Sequence, residues 1–265
     1  MPLAKDTIHY QTMGDAGAPP LLLIMGLAVS SRAWDRLPEL MARRFHVLVF
    51  DNRGTGRSVR RGFAYRMREL ADDAAAVIEA AGLRSAHVFG ISMGGMIAQE
   101  LALRHPERVR SLALGATFAS FRRVQRAPLR SAWDLLVLNL GFKPAERVAR
   151  LLVSAEWDAR NPGGALKWIR GSEPAGFRNA LAQFLAVVRH DTLNRLSQIR
   201  APTLVLTGDA DRLVPFANSE ILAKAIPGAR LHVLKGAGHV FPLEREEETV
   251  RALEEHFLAW ESRAA

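Results

Sequence analysis

The sequence predicts an α/β protein: a mostly parallel, doubly wound sheet with a block of helices inserted into it as a lid. Three observations carry this expectation. Short apolar runs that do not alternate with polar residues are separated by helical patterns, as expected for strands buried on both faces. These runs stop near Ser120, and helix signals take over to about Leu196. The strand pattern then resumes and ends in one more helix. Residues 1–119 and 197–265 are therefore expected to form one core, with 120–196 inserted as the lid.

In chain order, the strand-like runs are Leu21 to Met25, Phe45 to Phe50, His87 to Phe89 and Ser111 to Gly115. Helical patterns lie between them. Met67 to Ala81 is closed by Gly82 as a C-terminal cap, and Gly95 to Arg104 stops before Pro106. Strand alternating with helix implies right-handed crossovers and a parallel sheet. In the inserted block, helices are expected over Leu129 to Leu140, Pro144 to Val153, Gly164 to Arg170 and Gly176 to Val188. The last should bury a stripe of Phe177, Leu181, Phe184, Leu185 and Val188. Thr203 to Thr207 and Leu231 to Leu234 return to the sheet, and Glu246 to Trp260 forms the final helix.

Composition narrows the function. A chain of 265 residues that is 49% hydrophobic fills the core of one large domain. No cysteine is present, which removes disulfides, thiolate metal sites and a cysteine nucleophile, and fits a reducing compartment. The opening MPLAKDTIHY has no apolar leader segment, and no run reaches the roughly 20 apolar residues of a membrane span. A cytoplasmic protein without a membrane span is expected. The net charge of +9 raises the question of nucleic acid. Its arginines are scattered, with groups at Arg57, Arg60, Arg61, Arg66, Arg68 and at Arg122, Arg123, Arg126, Arg130, and no aromatics interleave to stack bases. A solvated arginine-rich surface is the expectation, with no nucleic-acid partner. A homo-oligomer is left open.

The stretch Gly90-Ile91-Ser92-Met93-Gly94 carries the chemistry. It lacks the spacing of a phosphate-binding loop and that of a dinucleotide fingerprint. It does match Gly-x-Ser-x-Gly between a strand and a helix, a turn that lifts a serine hydroxyl above the sheet edge. A serine hydroxyl becomes a nucleophile only when a base takes its proton and a carboxylate holds that base in the right tautomer. Downstream, Gly208-Asp209-Ala210-Asp211 places two carboxylates after one strand, and Gly236-Ala237-Gly238-His239 places a histidine after the next. Both loops fall at carboxyl ends of strands, where open α/β sheets keep their sites.

These motifs, with Asp51-Asn52-Arg53-Gly54-Thr55-Gly56-Arg57-Ser58, resemble those of the lidded α/β-hydrolase fold family along essentially the whole chain. The wording Ser92-Met93-Gly94-Gly95-Met96-Ile97 and Leu103 to Val109 is similar to enol-lactonases, small carboxylesterases and cofactor-free perhydrolases. The resemblance implies Ser92 as nucleophile, His239 as base and Asp211 as the orienting acid, the Gly-x-x-Asp spacing favouring Asp211 over Asp209, which reads as a turn residue. It also implies an oxyanion hole from the backbone N–H groups of Met93 and Leu27. The family usually has His-Gly before the second donor, whereas this chain reads Ile24-Met25-Gly26-Leu27.

Other polar and aromatic residues have simpler readings. His46, His87, His105 and His190 read as structural; Ser30 reads as a helix cap, Trp34 as a packed aromatic and Asp51 to Ser58 as a structural turn. Of Trp133, Leu136, Phe142, Trp157, Trp168 and Phe177, most should hold the lid together while a few roof an apolar pocket. The expectation is a serine hydrolase of small carboxylic esters or lactones, working through an acyl-enzyme on Ser92 without cofactor or metal. The alternatives are a C–C bond hydrolase or a perhydrolase with the same triad, and a catalytically silent binding module. A dehalogenase or epoxide hydrolase would carry aspartate in place of Ser92.

Overall fold

The computed structural model describes residues 8–59, 64–123 and 145–264. Seven strands form one sheet: β1 (Tyr10–Met13), β2 (Pro20–Ile24), β3 (His46–Phe50), β4 (Ala86–Ile91), β5 (Val109–Gly115), β6 (Thr203–Gly208) and β7 (Arg230–Leu234). Their order is β1-β3-β2-β4-β5-β6-β7, parallel throughout except for the antiparallel β1–β3 pair. The helices outside the inserted block are α1 (Leu37–Met41), α2 (Met67–Ala80), α3 (Met93–Arg104) and, later in the chain, α8 (Ala217–Ala225), α9 (Phe241–Glu244) and α10 (Glu246–Ala264). Between β5 and β6 lie α4 (Ala145–Leu152), α5 (Ala155–Arg160), α6 (Gly164–Gly171) and α7 (Phe177–Arg189).

The apolar runs do not alternate because both faces of the sheet are covered. Leu22, Ile24, Leu48, Phe50, Val88 and Leu114 point to one side and pack with Leu70, Ile78, Ile97 and Leu222 of α2, α3 and α8. Leu21, Leu23, Val47, Val49, Phe89 and Leu206 point to the other and meet Met41, Leu253 and Phe257 of α1 and α10. Successive residues thus feed opposite cores, the period-two rule of a strand. Gly82 ends the α2 region at φ +76°, a left-handed value that a Cβ would strain.

The chain leaves β2 toward β3 on one side and returns past it to β4 on the other. The β2 and β4 carboxyl ends therefore flank the point where winding reverses, the crevice in which open α/β sheets bind ligands. The loops that carry Leu27 and Ser92 open there.

Two details differ from the sequence expectation. On α7 the buried residues are Ala180, Ala182, Gln183, Ala186 and Val187, whereas Phe177 is exposed and Leu181, Phe184, Leu185 and Val188 are only half-buried. Small side chains let this helix approach the core closely, and closeness outweighs the larger apolar stripe. The antiparallel β1 was also not foreseen, its residues being exposed or half-buried. The expected helix Leu129 to Leu140 lies outside the described residues, as do Pro144, Trp133, Leu136, Phe142, Arg60, Arg61, Arg126 and Arg130.

Candidate active site

Ser92 stands between β4 and α3 with φ +57° and ψ −121°, a conformation that a residue with a Cβ occupies only when its surroundings impose it. Here they do. The Ser92 amide donates to the Gly115 carbonyl at 2.8 Å, and the Ser92 carbonyl accepts from Thr117 Oγ1 at 2.7 Å and from the Gly95 amide at 3.0 Å. Glycine is required on both sides: a Cβ at 90 would overlap the Gly94 carbonyl, and one at 94 would overlap the Ile24 carbonyl. Met93 opens α3, so its N–H belongs to the helix end that has no intrahelical acceptor and faces outward with positive polarity.

The β2 loop comes alongside. A Cβ on Gly26 would sit 3.3 Å from Ser92 Cβ and 3.8 Å from its Oγ, so a side chain there would crowd the serine. Asn52 Nδ2 donates to the Met25 carbonyl at 2.9 Å, and Asp51 receives the amides of Ser31 at 2.8 Å and Arg57 at 2.9 Å. The segment from Asp51 is thus a brace under the loop. Ser30 Oγ accepts from the Arg32 amide at 3.3 Å, and Trp34 is buried against Phe89. Both match their simple readings.

Asp211 and His239 meet across the β6 and β7 loops, with Nδ1 and Oδ2 2.8 Å apart and both residues buried. The other carboxylate oxygen, Oδ1, accepts the amides of Leu213 at 2.7 Å and Val214 at 2.9 Å. The carboxylate accepts at Oδ2, so in the neutral imidazole the proton sits on Nδ1 and Nε2 keeps a lone pair. Asp209 does something else. Its exposed Oδ1 accepts the Gly236 amide at 2.6 Å and ties the two loops together.

The histidine loop has a second anchor. Glu244, buried in α9, accepts from the Gly238 amide at 2.9 Å, the Ser154 amide at 3.1 Å and Ser154 Oγ at 2.6 Å. The Val240 amide donates to the Leu152 carbonyl at 2.9 Å. Burial raises the Glu244 carboxyl above its usual range, against the lowering effect of these donors. Val240 joins Ala149, Val153, Ala165 and Ile169 in a third apolar cluster. Neither Glu244 nor Ser154 was singled out in the sequence.

Ser92, Gly26, Leu27 and His239 line one cavity of about 90 Å³. Its other walls include Met25, Ile91, Leu152, Trp168, Leu213 and Val240. His239 is the one ionisable side chain among the described lining residues. No direct hydrogen bond joins Ser92 to His239 among the described residues. Of the expected lid aromatics, Trp168 lines the cavity and donates from Nε1 to the Ala33 carbonyl at 3.0 Å, Trp157 packs in the third cluster, and Phe177 is exposed. Arg123 pairs with Asp191 at 3.4 Å, and neither it nor Arg122 reaches the cavity. Among the described residues no cluster of three histidine or carboxylate groups could hold a metal, and no helix is long and apolar enough to cross a membrane.

Comparison with known proteins identifies the fold family. The model of the alpha/beta hydrolase fold family matches residues 19–246. A protein from Pseudomonas syringae pv. syringae, provisionally named carbamate hydrolase RutD, is 35% identical over 87% of this chain and 90% of its own length. Rhodomycin D methylesterase DauP of Streptomyces sp. strain C5 is 32% identical, with 96% of each chain covered. The solved structure of Est816, an N-acyl homoserine lactone degrading enzyme, superposes with a TM-score of 0.81 at 28% identity, covering 94% of this chain and 96% of that one. The match to the family model spans β2 to β7 and the loops that converge on the cavity, and the chain belongs to the alpha/beta hydrolase fold family and is a hydrolase.

Proposed function

We propose that this hydrolase cleaves carboxylic esters or lactones through an acyl-enzyme on Ser92, with His239 as base, Asp211 as its orienting acid and the amides of Leu27 and Met93 as the oxyanion hole. The observation that carries the reading is the buried Asp211–His239 pair, whose lone pair at Nε2 shares a cavity with Ser92. Residues 120–196 act as the lid, contributing Leu152 and Trp168 to the roof.

The chemistry follows from the groups present. Substrate binding expels water and brings Ser92 Oγ within reach of Nε2, a contact that commonly tightens only in the complex. The hydroxyl attacks the carbonyl carbon while its proton passes to Nε2, and the Asp211 carboxylate stabilises the imidazolium. The oxyanion falls between two main-chain donors, which stabilise charge that develops only in the transition state. The imidazolium then protonates the departing alcohol, and water repeats the sequence on the acyl-enzyme. Every step uses protein groups and water.

The apolar wall supports an uncharged acyl group, since each buried methylene adds about 0.8 kcal/mol. An uncharged acyl group is consistent with the ester and the lactone named for DauP and Est816. The test is Ser92→Ala assayed on an aryl-ester series. Turnover should fall to the residual 10³ to 10⁴ over water that binding and the oxyanion hole supply. Near-normal turnover refutes the triad. A wild-type preference for a carbamate over every ester and lactone refutes the substrate class.

A further inference from the structure

We propose that Gln183 is a positioning residue for the oxyanion loop, its side-chain amide fixing the main chain that presents the Leu27 N–H. The proposal rests on the acyl-transfer reading above.

The loop from Met25 to Val29 does not hold its own shape. No hydrogen bond closes it on itself among the described residues, and Ala28 has φ +61°, a left-handed value that favours glycine. The conformation is imposed from outside. The Ala28 amide donates to Gln183 Oε1 at 2.7 Å, and the Ala28 carbonyl accepts from the Ala175 amide at 2.7 Å. Both sides of Ala28 are thus held by the segment that enters and forms α7. One residue upstream is Leu27, which lines the cavity.

Gln183 is itself anchored. It is fully buried, and its Nε2 donates to the Arg53 carbonyl at 3.1 Å. Arg53 is locked by Nε and Nη2 to the Asp73 carboxylate, both at 2.6 Å. A carboxamide offers an acceptor and a donor on one short plane that stays uncharged at every pH, which is what the Ala28 N–H and the Arg53 C=O demand. Small neighbours, Ala180, Ala182 and Ala186, bring α7 close enough for that plane to reach. Without it, a buried N–H and a buried C=O lose their partners, and Ala28 is free to leave its left-handed conformation.

The experiment uses the full chain with Gln183→Met, similar in length but without hydrogen bonds, and Gln183→Glu. Losing an oxyanion donor outright lowers kcat by about 10² to 10³, so a displaced donor should lower it about 10 to 100-fold, with KM changed less than about threefold. Affinity for an alkylboronic acid, whose tetrahedral adduct fills the oxyanion site, should fall by the same factor as kcat/KM. Hydrogen exchange over residues 25–31 should quicken while residues 88–100 stay unchanged. In Gln183→Glu, a protonated carboxyl restores both hydrogen bonds, so kcat relative to Gln183→Met should rise as pH falls, a ratio in which pH effects common to the two variants cancel. A rise in KM with kcat and boronate affinity intact would reduce Gln183 to a cavity wall and overturn the proposal. Unaltered exchange over 25–31 would overturn it too. If the wild type hydrolyses no ester, the acyl-transfer reading falls, and the exchange measurement still decides whether Gln183 holds the loop. Should Gln183→Met fail to fold, Gln183→Glu carries both measurements.

Discussion

Asp211→Asn replaces one oxygen by an NH₂ group, and the hydrogen bonds that the Asp211 carboxylate accepts dictate which one. Oδ1 accepts two main-chain amides, Leu213 at 2.7 Å and Val214 at 2.9 Å. Both are donors, so the amide oxygen of the variant must take that position and its NH₂ must face His239 Nδ1, 2.8 Å away. A donor there forces Nδ1 to accept. The imidazole proton then moves to Nε2, which points a hydrogen at Ser92 and can no longer receive one. Geometry survives while the base is in the wrong tautomer, a change worth about 10⁴ in kcat, or about 5.4 kcal/mol of barrier. Asp209→Asn should differ in kind. Its carboxylate is exposed and holds only the Gly236 amide, so the loss should stay under about 1 kcal/mol of stability and under about threefold in kcat. The assay is steady-state hydrolysis of an aryl ester by both variants, with thermal unfolding to confirm folding. A loss below tenfold in Asp211→Asn, or a larger loss in Asp209→Asn, would refute the tautomer argument.

Four further outcomes concern buried ionisable groups. Glu244→Ala strands the amides of Gly238 and Ser154, costs about 3 kcal/mol in urea unfolding and lowers kcat by loosening the His239 loop; an unchanged midpoint refutes this. Because burial raises the Glu244 carboxyl, its favourable share is present below its unfolded pKa and is lost as pH rises through the folded value, so wild-type stability measured against Glu244→Gln should fall as pH rises from 4. His87 and His256 are lowered by burial to about 4 from 6.5, so the stability of the neutral forms is complete above pH 6.5 and lost as pH falls toward 4, by at most about 3 kcal/mol each. A flat urea midpoint across that window rejects the sign. Asp73→Ala leaves the Arg53 guanidinium buried and unpaired, and should cost about 3–5 kcal/mol, whereas Arg53→Met with Asp73→Leu should cost less than that single change; equal costs reject the pair's role.

The parts of the site legible in the sequence are those where local geometry restricts residue choice. Gly90 and Gly94 are demanded by main-chain crowding within a few positions of Ser92, so their spacing is visible without a structure. Gly208 is similar, because a Cβ there would overlap the Ala237 carbonyl. The central strands were legible for another reason: both faces of the sheet are covered there, so β2 and the Val47 to Phe50 stretch of β3 are apolar without interruption. Gln183 and Glu244 left no such trace. Ala28 lies 155 positions from Gln183 and Ser154 lies 90 from Glu244, and one polar residue on a helix looks the same in sequence whether it faces solvent or a loop. The same distance effect hid the true face of α7, where contact with the core selects alanines rather than the bulkier stripe.

Gly94 has one more consequence. Its Cα rests against the carbonyls of Ile24 and Met25, so the turn bearing Ser92 and the loop bearing Leu27 touch main chain to main chain. No exchange of side chains can adjust such a joint, because its spacing is set by the register that pairs Ile24 with Gly90. The floor of the cavity behaves like a stamped part, rigid and hard to retune. Leu152, Trp168, Leu213 and Val240 come from separate segments, and their side chains can be exchanged one at a time without moving that floor. Redesign for a different acyl group should therefore begin at these four walls, leaving residues 24–28 and 90–95 untouched.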